Sequence, residues 1–147
     1  MKVLVINGPN LNFLGIREKG IYGKESYEDL AERLQQKAKQ DGIELELFQE
    51  NSEGAIIDRI QQAYYDKVDG IVINPGAYAH YSIAIRDALA SIEVPKIEVH
   101  ISNVYKREEF RHTSVITPVC TGEILGLGLQ GYFLALDALK AYIIEKS

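Results

Sequence analysis

The amino-acid sequence predicts an α/β fold in which a parallel sheet is covered by helices on both faces. Short apolar runs alternate along the chain with segments of helical periodicity, and the connections between them are short. Such alternation is typical of parallel sheets, because each helix returns the chain to the same end of the sheet. The chain has 147 residues, about the length of one domain. We therefore predict a single domain over residues 1–147.

The first half of the chain contains the patterns of two strands and two capped helices. Residues 3–6 form an apolar run that predicts the first strand. Ser26 begins a capping-box sequence, and the helix that follows it ends at Gly42. Residues 43–47 alternate apolar with acidic side chains, which predicts a half-buried strand near an edge of the sheet. Ser52 is the predicted N-cap of the second helix.

The second half continues the same alternation. Residues 70–73 are wholly apolar, as expected of a strand at the centre of a parallel sheet. Ser82 begins a third helix, and residues 97–101 form the fourth strand. Residues 114–117 predict a short fifth strand that Pro118 closes, and the last helix is expected from about 122 to 144. Five strands in this arrangement predict the flavodoxin-like strand order 2-1-3-4-5.

Polar residues follow the three strands that meet where this strand order reverses. Ligands of open α/β sheets bind at that point, beyond the carboxyl ends of the strands. Any single Asn or Ser there is more often a loop cap, but polar groups gathered from separate strands need a ligand or a network to satisfy them. The residues are Asn7, Asn10 and Asn12 after strand 1, Asn74, Tyr78 and His80 after strand 3, and His100, Ser102 and Asn103 after strand 4.

Composition and charge exclude several classes of protein. The chain has 16 basic and 21 acidic residues, a net charge of −5, which is no footprint for nucleic acid or an anionic membrane. No apolar stretch approaches the length of a membrane span, so we expect a cytoplasmic protein. Its one cysteine, Cys120, excludes an internal disulfide. One cysteine and three histidines in the whole chain are few ligands for a structural zinc site, so we predict no metal site.

Glu98 and His100 lie two residues apart on the fourth predicted strand, so their side chains point to the same face. A carboxylate on an otherwise apolar strand is costly unless it is paired. The imidazole is its natural partner, and a histidine oriented in this way exchanges protons well. The alternative is a structural His–Glu pair at the edge of the sheet.

The glycine-dotted segment 15–24 is a candidate flap over the site, and it contains Arg17 and Tyr22. A free tyrosine has a pKa of about 10, so its ionisation at pH 7 costs roughly 4 kcal/mol. A nearby cation returns about 1–3 pKa units of that cost. We therefore interpret Tyr22 as a candidate general base, although one arginine is a marginal partner. Most loops of this composition are simply solvated surface.

Two further motifs each allow two interpretations. Arg107 and Arg111 lie in a charged turn that is either solvated or directed inward at a carboxylate or phosphate. Residues 126–131 match the G-x-G-x-x-G pattern, but they lie within the predicted last helix, with no room for a following strand. We interpret these glycines as small residues for close helix packing. The chain does not fit a receiver domain, which would need acidic residues at the ends of strands 1 and 3, where this chain has Asn7 and Asn74.

Blocks of residues spread in order along nearly the whole chain match one enzyme family. They include the sequences Asn-Gly-Pro-Asn-Leu-Asn and Glu-Val-His-Ile-Ser-Asn. The blocks are residues 7–12, 14–15, 17–18, 22–23, 49–54, 73–78 with 80, 87–88, 98–103, 107–112, 126–128 and 130–132. In these blocks the chain closely resembles the type II 3-dehydroquinate dehydratases, small dodecameric enzymes of the shikimate pathway.

The resemblance implies anti elimination of water from 3-dehydroquinate through an enolate, giving 3-dehydroshikimate. Tyr22 is then the base that takes the C2 proton, and Arg17 holds its phenolate. Asn12 positions a water that stabilises the enolate oxygen. His100 is the acid that protonates the departing C1 hydroxyl, and Glu98 orients it.

The resemblance also implies how substrate is held and how the chains assemble. Asp87 is expected to reach into the site of a neighbouring subunit, which makes a trimer the functional unit and a dodecamer, a tetramer of trimers, the assembly. No metal or organic cofactor is implied. The residues expected to bind the hydroxyls and carboxylate of the substrate are Asn74, His80, Ile101, Ser102 and Arg111.

The chain departs from the family pattern in places. The family commonly has a proline where this flap has Lys19, and a small polar residue where this chain has Tyr81 after His80. Tyr105 is a further loop variation. Two alternative functions stay open: a non-catalytic flavodoxin-like binding module, and a lyase or isomerase that forms an enolate from another cyclic hydroxy-keto acid.

Overall fold

Five parallel strands form one sheet in the order β2-β1-β3-β4-β5 in the computed structural model, which describes residues 1–147. The predicted α/β fold and its strand order are thereby confirmed. The sheet is parallel throughout. The strands are β1 (Lys2–Asn7), β2 (Glu44–Gln49), β3 (Gly70–Asn74), β4 (Lys96–His100) and β5 (Gly122–Leu125).

The helices begin at the residues that the capping patterns predict. Ser26 accepts from the backbone N–H of Asp29 and closes the expected capping box. Ser52 and Ser82 likewise accept from the N–H three residues ahead. None of the helices is long and apolar enough to cross a membrane. The helices are α1 (Lys19–Tyr22), α2 (Tyr27–Gln40), α3 (Glu53–Asp66), α4 (Ile83–Ala90) and α5 (Gln130–Lys146).

The sheet separates two apolar layers, each covered by two helices. Alternate residues of β1 show the division: Val3 and Val5 pack with α2 and α5, whereas Leu4 and Ile6 pack with α3 and α4. Both layers consist mainly of buried Leu, Ile, Val and Ala side chains. The carboxyl ends of β1, β3 and β4 are thus held side by side.

The prediction of the fifth strand is wrong. Residues 114–117 form no strand, because the Ser114 and Thr117 hydroxyls turn inward and donate to the buried Glu98 carboxylate at 2.9 and 2.6 Å. The strand that pairs with β4 is Gly122–Leu125, in the segment where the last helix was expected to begin. That helix therefore begins only at Gln130.

The interpretation of the G-x-G-x-x-G glycines needs the same correction. Gly126 and Gly128 lie in the β5–α5 loop with φ of +83° and +63°, conformations that favour glycine. A Cβ at Gly126 would also lie 3.1 Å from the Cβ of Asn103. Only Gly131 packs from within the helix, against Val99 of β4.

A buried hydroxyl ties the layers together directly beneath the switch point of the sheet. The Tyr132 hydroxyl of α5 donates to Asn7 Oδ1 at 2.6 Å and accepts from Asn74 Nδ2 at 2.8 Å. Asn74 Oδ1 in turn accepts from the N–H of Gly76, which begins the turn after β3. Burial raises the pKa of Tyr132 well above its ordinary value, so the phenol stays neutral. The network fixes the ends of β1 and β3.

We expect the substitution Tyr132→Phe to destabilise the fold. It removes the one hydroxyl that bonds Asn7 Oδ1 and Asn74 Nδ2, which costs about 1–3 kcal/mol in the free energy of unfolding. Urea unfolding followed by circular dichroism measures this difference. The control is Tyr142→Phe on the same helix, whose exposed hydroxyl makes no hydrogen bond. Equal stability of the two variants would contradict the structural role of the network.

Candidate active site

A cavity of about 150 Å³ opens beyond the carboxyl ends of β1, β3 and β4. This is the place that the strand order predicts for a ligand. A wider depression of about 570 Å³ at the opposite end of the strands is the less plausible site, because its Lys96 ammonium already donates to the carbonyls of Ile92 and Val94. The residues lining the first cavity are Pro9, Asn10, Leu11, Arg17, Tyr22, Asn74, Gly76, Ala77, His80, His100, Ile101, Ser102, Val104, Arg107 and Arg111.

Most of the residues predicted for the site meet at this cavity. Glu98 lies behind His100, away from the cavity wall. Asn12 is exposed in the 3-10 turn Leu11–Phe13, and Asp87 is exposed on α4, so neither of them lines the cavity. The predicted residues that do line it are Arg17, Tyr22, Asn74, His80, His100, Ile101, Ser102 and Arg111.

The Tyr22 hydroxyl is surrounded by two guanidinium groups. Nη1 of Arg107 donates to it at 2.7 Å, and Nη2 of Arg17 donates at 3.3 Å. The Arg17 guanidinium also lies over the ring, with Cζ 4.4 Å from the ring centroid. The phenol oxygen thus has two guanidinium donors, where the sequence suggested a single arginine. Tyr22 is therefore the side chain of the cavity best placed to act as a base.

The sequence did not assign Arg107 to the site. Of the two arginines in the charged turn, only Arg111 was assigned to the site, yet both line the cavity. Arg107 also donates to the Ser102 hydroxyl at 3.2 Å, and its carbonyl accepts from His112 Nε2 at 3.2 Å. Arg111 is paired with Glu108 instead. The only sequence signal for Arg107 and Arg111 was their position in one charged turn, and it does not show which of the two contacts Tyr22.

His100, which also lines the cavity, is held by a fully buried carboxylate. Nε2 of His100 donates to Oε2 of Glu98 at 2.5 Å, and Ser114 and Thr117 donate to the same carboxylate. Burial by itself raises the pKa of Glu98, but these hydrogen bonds and the imidazole charge outweigh it and hold the pKa below its usual value. Glu98 is thus ionised and fixes the ring, and Nδ1 of His100 bonds no protein group.

His80 lies against His100 and offers a hydrogen-bond acceptor to the cavity. The two rings stack with centroids 6.4 Å apart. Nδ1 of His80 donates to the carbonyl of Thr113 at 2.9 Å. In the neutral ring this leaves Nε2 as an acceptor, which suits a ligand hydroxyl.

Glu98, His100 and Glu123 each bring one potential ligand atom within 4.8 Å of the others. The Glu98 oxygens already accept hydrogen bonds from His100, Ser114 and Thr117. A cation would have to displace these donors. We therefore assign the cluster to proton chemistry and do not identify it as a metal centre.

The predicted flap carries Tyr22 on the short helix α1. Gly15 and Gly23, on either side of this helix, have φ of +82° and +87°, and a Cβ at Gly15 would lie 3.0 Å from the Lys24 carbonyl oxygen. The departures from the family pattern at Lys19 and Tyr81 are exposed and do not line the cavity.

The comparisons with known proteins identify one family. The family model described as dehydroquinase class II matches residues 1–140. A 3-dehydroquinate dehydratase from Lachnoclostridium phytofermentans is 73% identical over 139 residues, covering 95% of this chain and 96% of the relative. Another from Lachnospira eligens is 64% identical, covering 99% and 100%. The crystal structure of a type II dehydroquinase from Butyrivibrio crossotus has a TM-score of 0.94 and 65% identity, covering 95% and 97%.

Proposed function

The chain belongs to the class II dehydroquinase family, and from this premise we propose that its cavity catalyses the anti elimination of water from 3-dehydroquinate through an enolate. The product is 3-dehydroshikimate. This reaction is the dehydration that the name of the relatives describes. One observation carries the mechanism. A phenol under two guanidinium groups and an imidazole on a buried carboxylate line the same small cavity.

Tyr22 is the base that removes the C2 proton. Arg107 and Arg17 stabilise the phenolate before the reaction by charge and by hydrogen bonds to its oxygen. The flap that carries Tyr22 covers the cavity and excludes water while the enolate exists. The enolate oxygen is stabilised by a water that Asn12 holds, a role that the family resemblance implies. Asn12 belongs to the same turn as Leu11, which lines the cavity.

His100 is the acid that protonates the departing C1 hydroxyl. Because Glu98 accepts from Nε2, it orients the ring and stabilises the imidazolium form. The base comes from the flap and the acid comes from β4. Groups from two separate elements can approach opposite faces of the substrate, which is the geometry that an anti elimination requires.

The remaining polar groups of the cavity hold the substrate. Arg111 is the cation for the carboxylate, and exchanges its pairing with Glu108 for the ligand. The groups that bind the substrate hydroxyls are Asn74, His80, Ser102 and the backbone of Ile101.

The size of the cavity favours one class of ligand over another. Its volume of about 150 Å³ lies below the roughly 300 Å³ at which drug-sized ligand pockets begin. This favours a small cyclic acid over a flavin.

We also propose that the working enzyme is an assembly of this chain, a trimer or the dodecamer built from it, in the cytoplasm. Asp87 lies one helical turn from the exposed Ile83 on α4. The exposed Tyr64 and Tyr65 of α3 lie beside Ala88 and Ile92 at the end of α4. Exposed apolar side chains grouped in this way are typical of contact surfaces. Asp87 is then positioned to enter the cavity of a neighbouring copy.

The first test mixes the purified protein with 3-dehydroquinate and follows ultraviolet absorbance, because the product is a conjugated enone carboxylate and the substrate is not. We expect Tyr22→Phe to lose activity by at least about 10²–10⁴-fold, since it removes the base, while it still assembles and binds substrate. Tyr81→Phe is the control, because its exposed ring does not line the cavity.

A fully active Tyr22→Phe would overturn the mechanism. Turnover should also resist chelators and borohydride, since no lysine lines the cavity to form a Schiff base. Loss of activity with either reagent would favour a different enzyme chemistry. No absorbance change from the well-folded wild-type protein would favour another hydroxy-keto acid as substrate.

The substitution Arg107→Gln tests the second guanidinium. Loss of one cation from the phenol oxygen should move the acid limb of the pH–rate profile up by about 1–3 units. The variant should therefore be slow at neutral pH and recover part of its rate as pH rises. Lys106→Gln is the matched control, because it removes the same charge from an exposed neighbour outside the cavity. An unshifted acid limb in Arg107→Gln would show that Arg17 alone supports the base.

The role of Asp87 is tested by mixing two inactive variants, Asp87→Ala and Tyr22→Phe, in equal amounts before assembly. If Asp87 acts in a neighbouring site, random assembly restores about one quarter of wild-type activity. If it acts within its own chain, no site contains both residues and no activity returns. Sedimentation of the same mixture reports the number of copies. A monomer with full activity would contradict the proposed assembly.

A further inference from the structure

A second carboxyl group stands beside the His100–Glu98 pair. Glu123 on β5 is the register partner of Glu98 on β4. Its Oε2 lies 3.8 Å from Nε2 of His100, and its side chain is 18% exposed where that of Glu98 is 0% exposed. The mechanism described above does not use Glu123, and it does not line the substrate cavity.

The two carboxyl groups share one hydroxyl donor. Thr117 Oγ1 lies 2.6 Å from Oε1 of Glu98 and 3.3 Å from Oε2 of Glu123. Because a hydroxyl has one proton to donate, the shorter contact satisfies Glu98 and leaves Glu123 the weaker partner. Burial, together with the charge of Glu98, raises the pKa of Glu123 above its usual value. As pH rises, Glu98 therefore ionises first and Glu123 second.

We propose that Glu123 is a positioning residue for the dehydration, a second carboxylate that keeps His100 protonated and ready to act as the acid. This inference rests on the proposed function. Each turnover takes a proton from His100, so the ring must regain one before the next cycle. An anionic oxygen about 4 Å from the imidazole favours its charged form.

The position of Glu123 also suits the return of that proton. Glu123, Thr117 and His100 line a second cavity of about 390 Å³, and no residue of the flap lines it. Water in this cavity can reach His100 without passing through the substrate cavity. Glu123 thus acts on the imidazole from the solvent side, whereas Glu98 holds it from the interior.

The other charged and titratable groups around His100 come from several elements. Arg111 and His112 face the second cavity from the 3-10 turn Glu109–His112, and His80 stacks on the ring from the turn Gly76–His80. The positive charge of Arg111 opposes protonation of His100, and the carboxylates offset it. Burial, with the nearby carboxylates, raises the pKa of Cys120 to about 12, so this neighbour of Glu123 stays neutral. The groups across the substrate cavity are Tyr22, Arg17 and Arg107.

The test is the pH dependence of kcat in Glu123→Gln. Glutamine keeps the size of the side chain and its contact with Thr117 but carries no charge. We expect the alkaline limb of the profile, which reports the protonated acid, to move down by about one unit. The acid limb, which reports the base, should keep its position. A purely structural residue would lower kcat at every pH without moving one limb.

A substrate-free measurement separates this inference from the proposed function. The imidazole of His100 is titrated by NMR, and His100→Gln identifies its signals among the three histidines. The midpoint should fall by about one unit in Glu123→Gln and return towards the wild-type value in Glu123→Asp. The exposed Glu145→Gln on α5 removes one charge elsewhere and should leave the midpoint in place.

An unshifted midpoint and an unshifted alkaline limb in Glu123→Gln would overturn the inference, whatever the rate. A lowered midpoint in a protein that does not dehydrate 3-dehydroquinate would support the coupling of Glu123 to His100 and overturn the proposed function instead. A loss of kcat in Glu123→Asp as large as in Glu123→Gln, with no return of the midpoint, would count against a role of charge.

Discussion

The buried negative charge of Glu98 constrains the whole carboxyl end of this sheet. A fully buried carboxylate in a strand is tolerated only when its oxygens are paired. Three donors reach it, from His100 two residues away and from the Ser114 and Thr117 hydroxyls of the following loop. The same contacts orient the imidazole and anchor the loop that leads to β5. A catalytic orientation and a structural requirement are therefore met by one set of hydrogen bonds.

This charge explains where prediction from sequence succeeded and where it failed. Local periodicity and capping identified β1–β4 and the starts of α2–α4, because those elements follow from side-chain pattern alone. Residues 114–117 show a strand-like pattern, but the hydroxyl of Ser114 donates to Glu98, which precedes it by 16 residues in the chain. No local sequence pattern indicates such a hydrogen bond to a distant carboxylate. β5 thus forms later, at Gly122–Leu125.

The sequence also predicted only part of the candidate site. A period of two places Glu98 and His100 on one face, so their pairing could be read from the sequence. The choice between Arg107 and Arg111 could not, because both follow β4 in one charged turn and only the folded chain brings Arg107 to the Tyr22 hydroxyl. Glu123 was missed for a related reason, since its segment was assigned to a helix rather than to the strand beside Glu98.

The cavity separates charge although the chain as a whole is acidic, at −5. At the cavity, the guanidinium groups of Arg17 and Arg107 lie around the Tyr22 phenol. The carboxyl groups of Glu98 and Glu123 lie behind the cavity wall, around the imidazole of His100. In the proposed mechanism, these cations favour the deprotonated base and these carboxylates favour the protonated acid. Water between the two groups would screen both effects. Closure of the proposed flap would exclude that water and strengthen both effects.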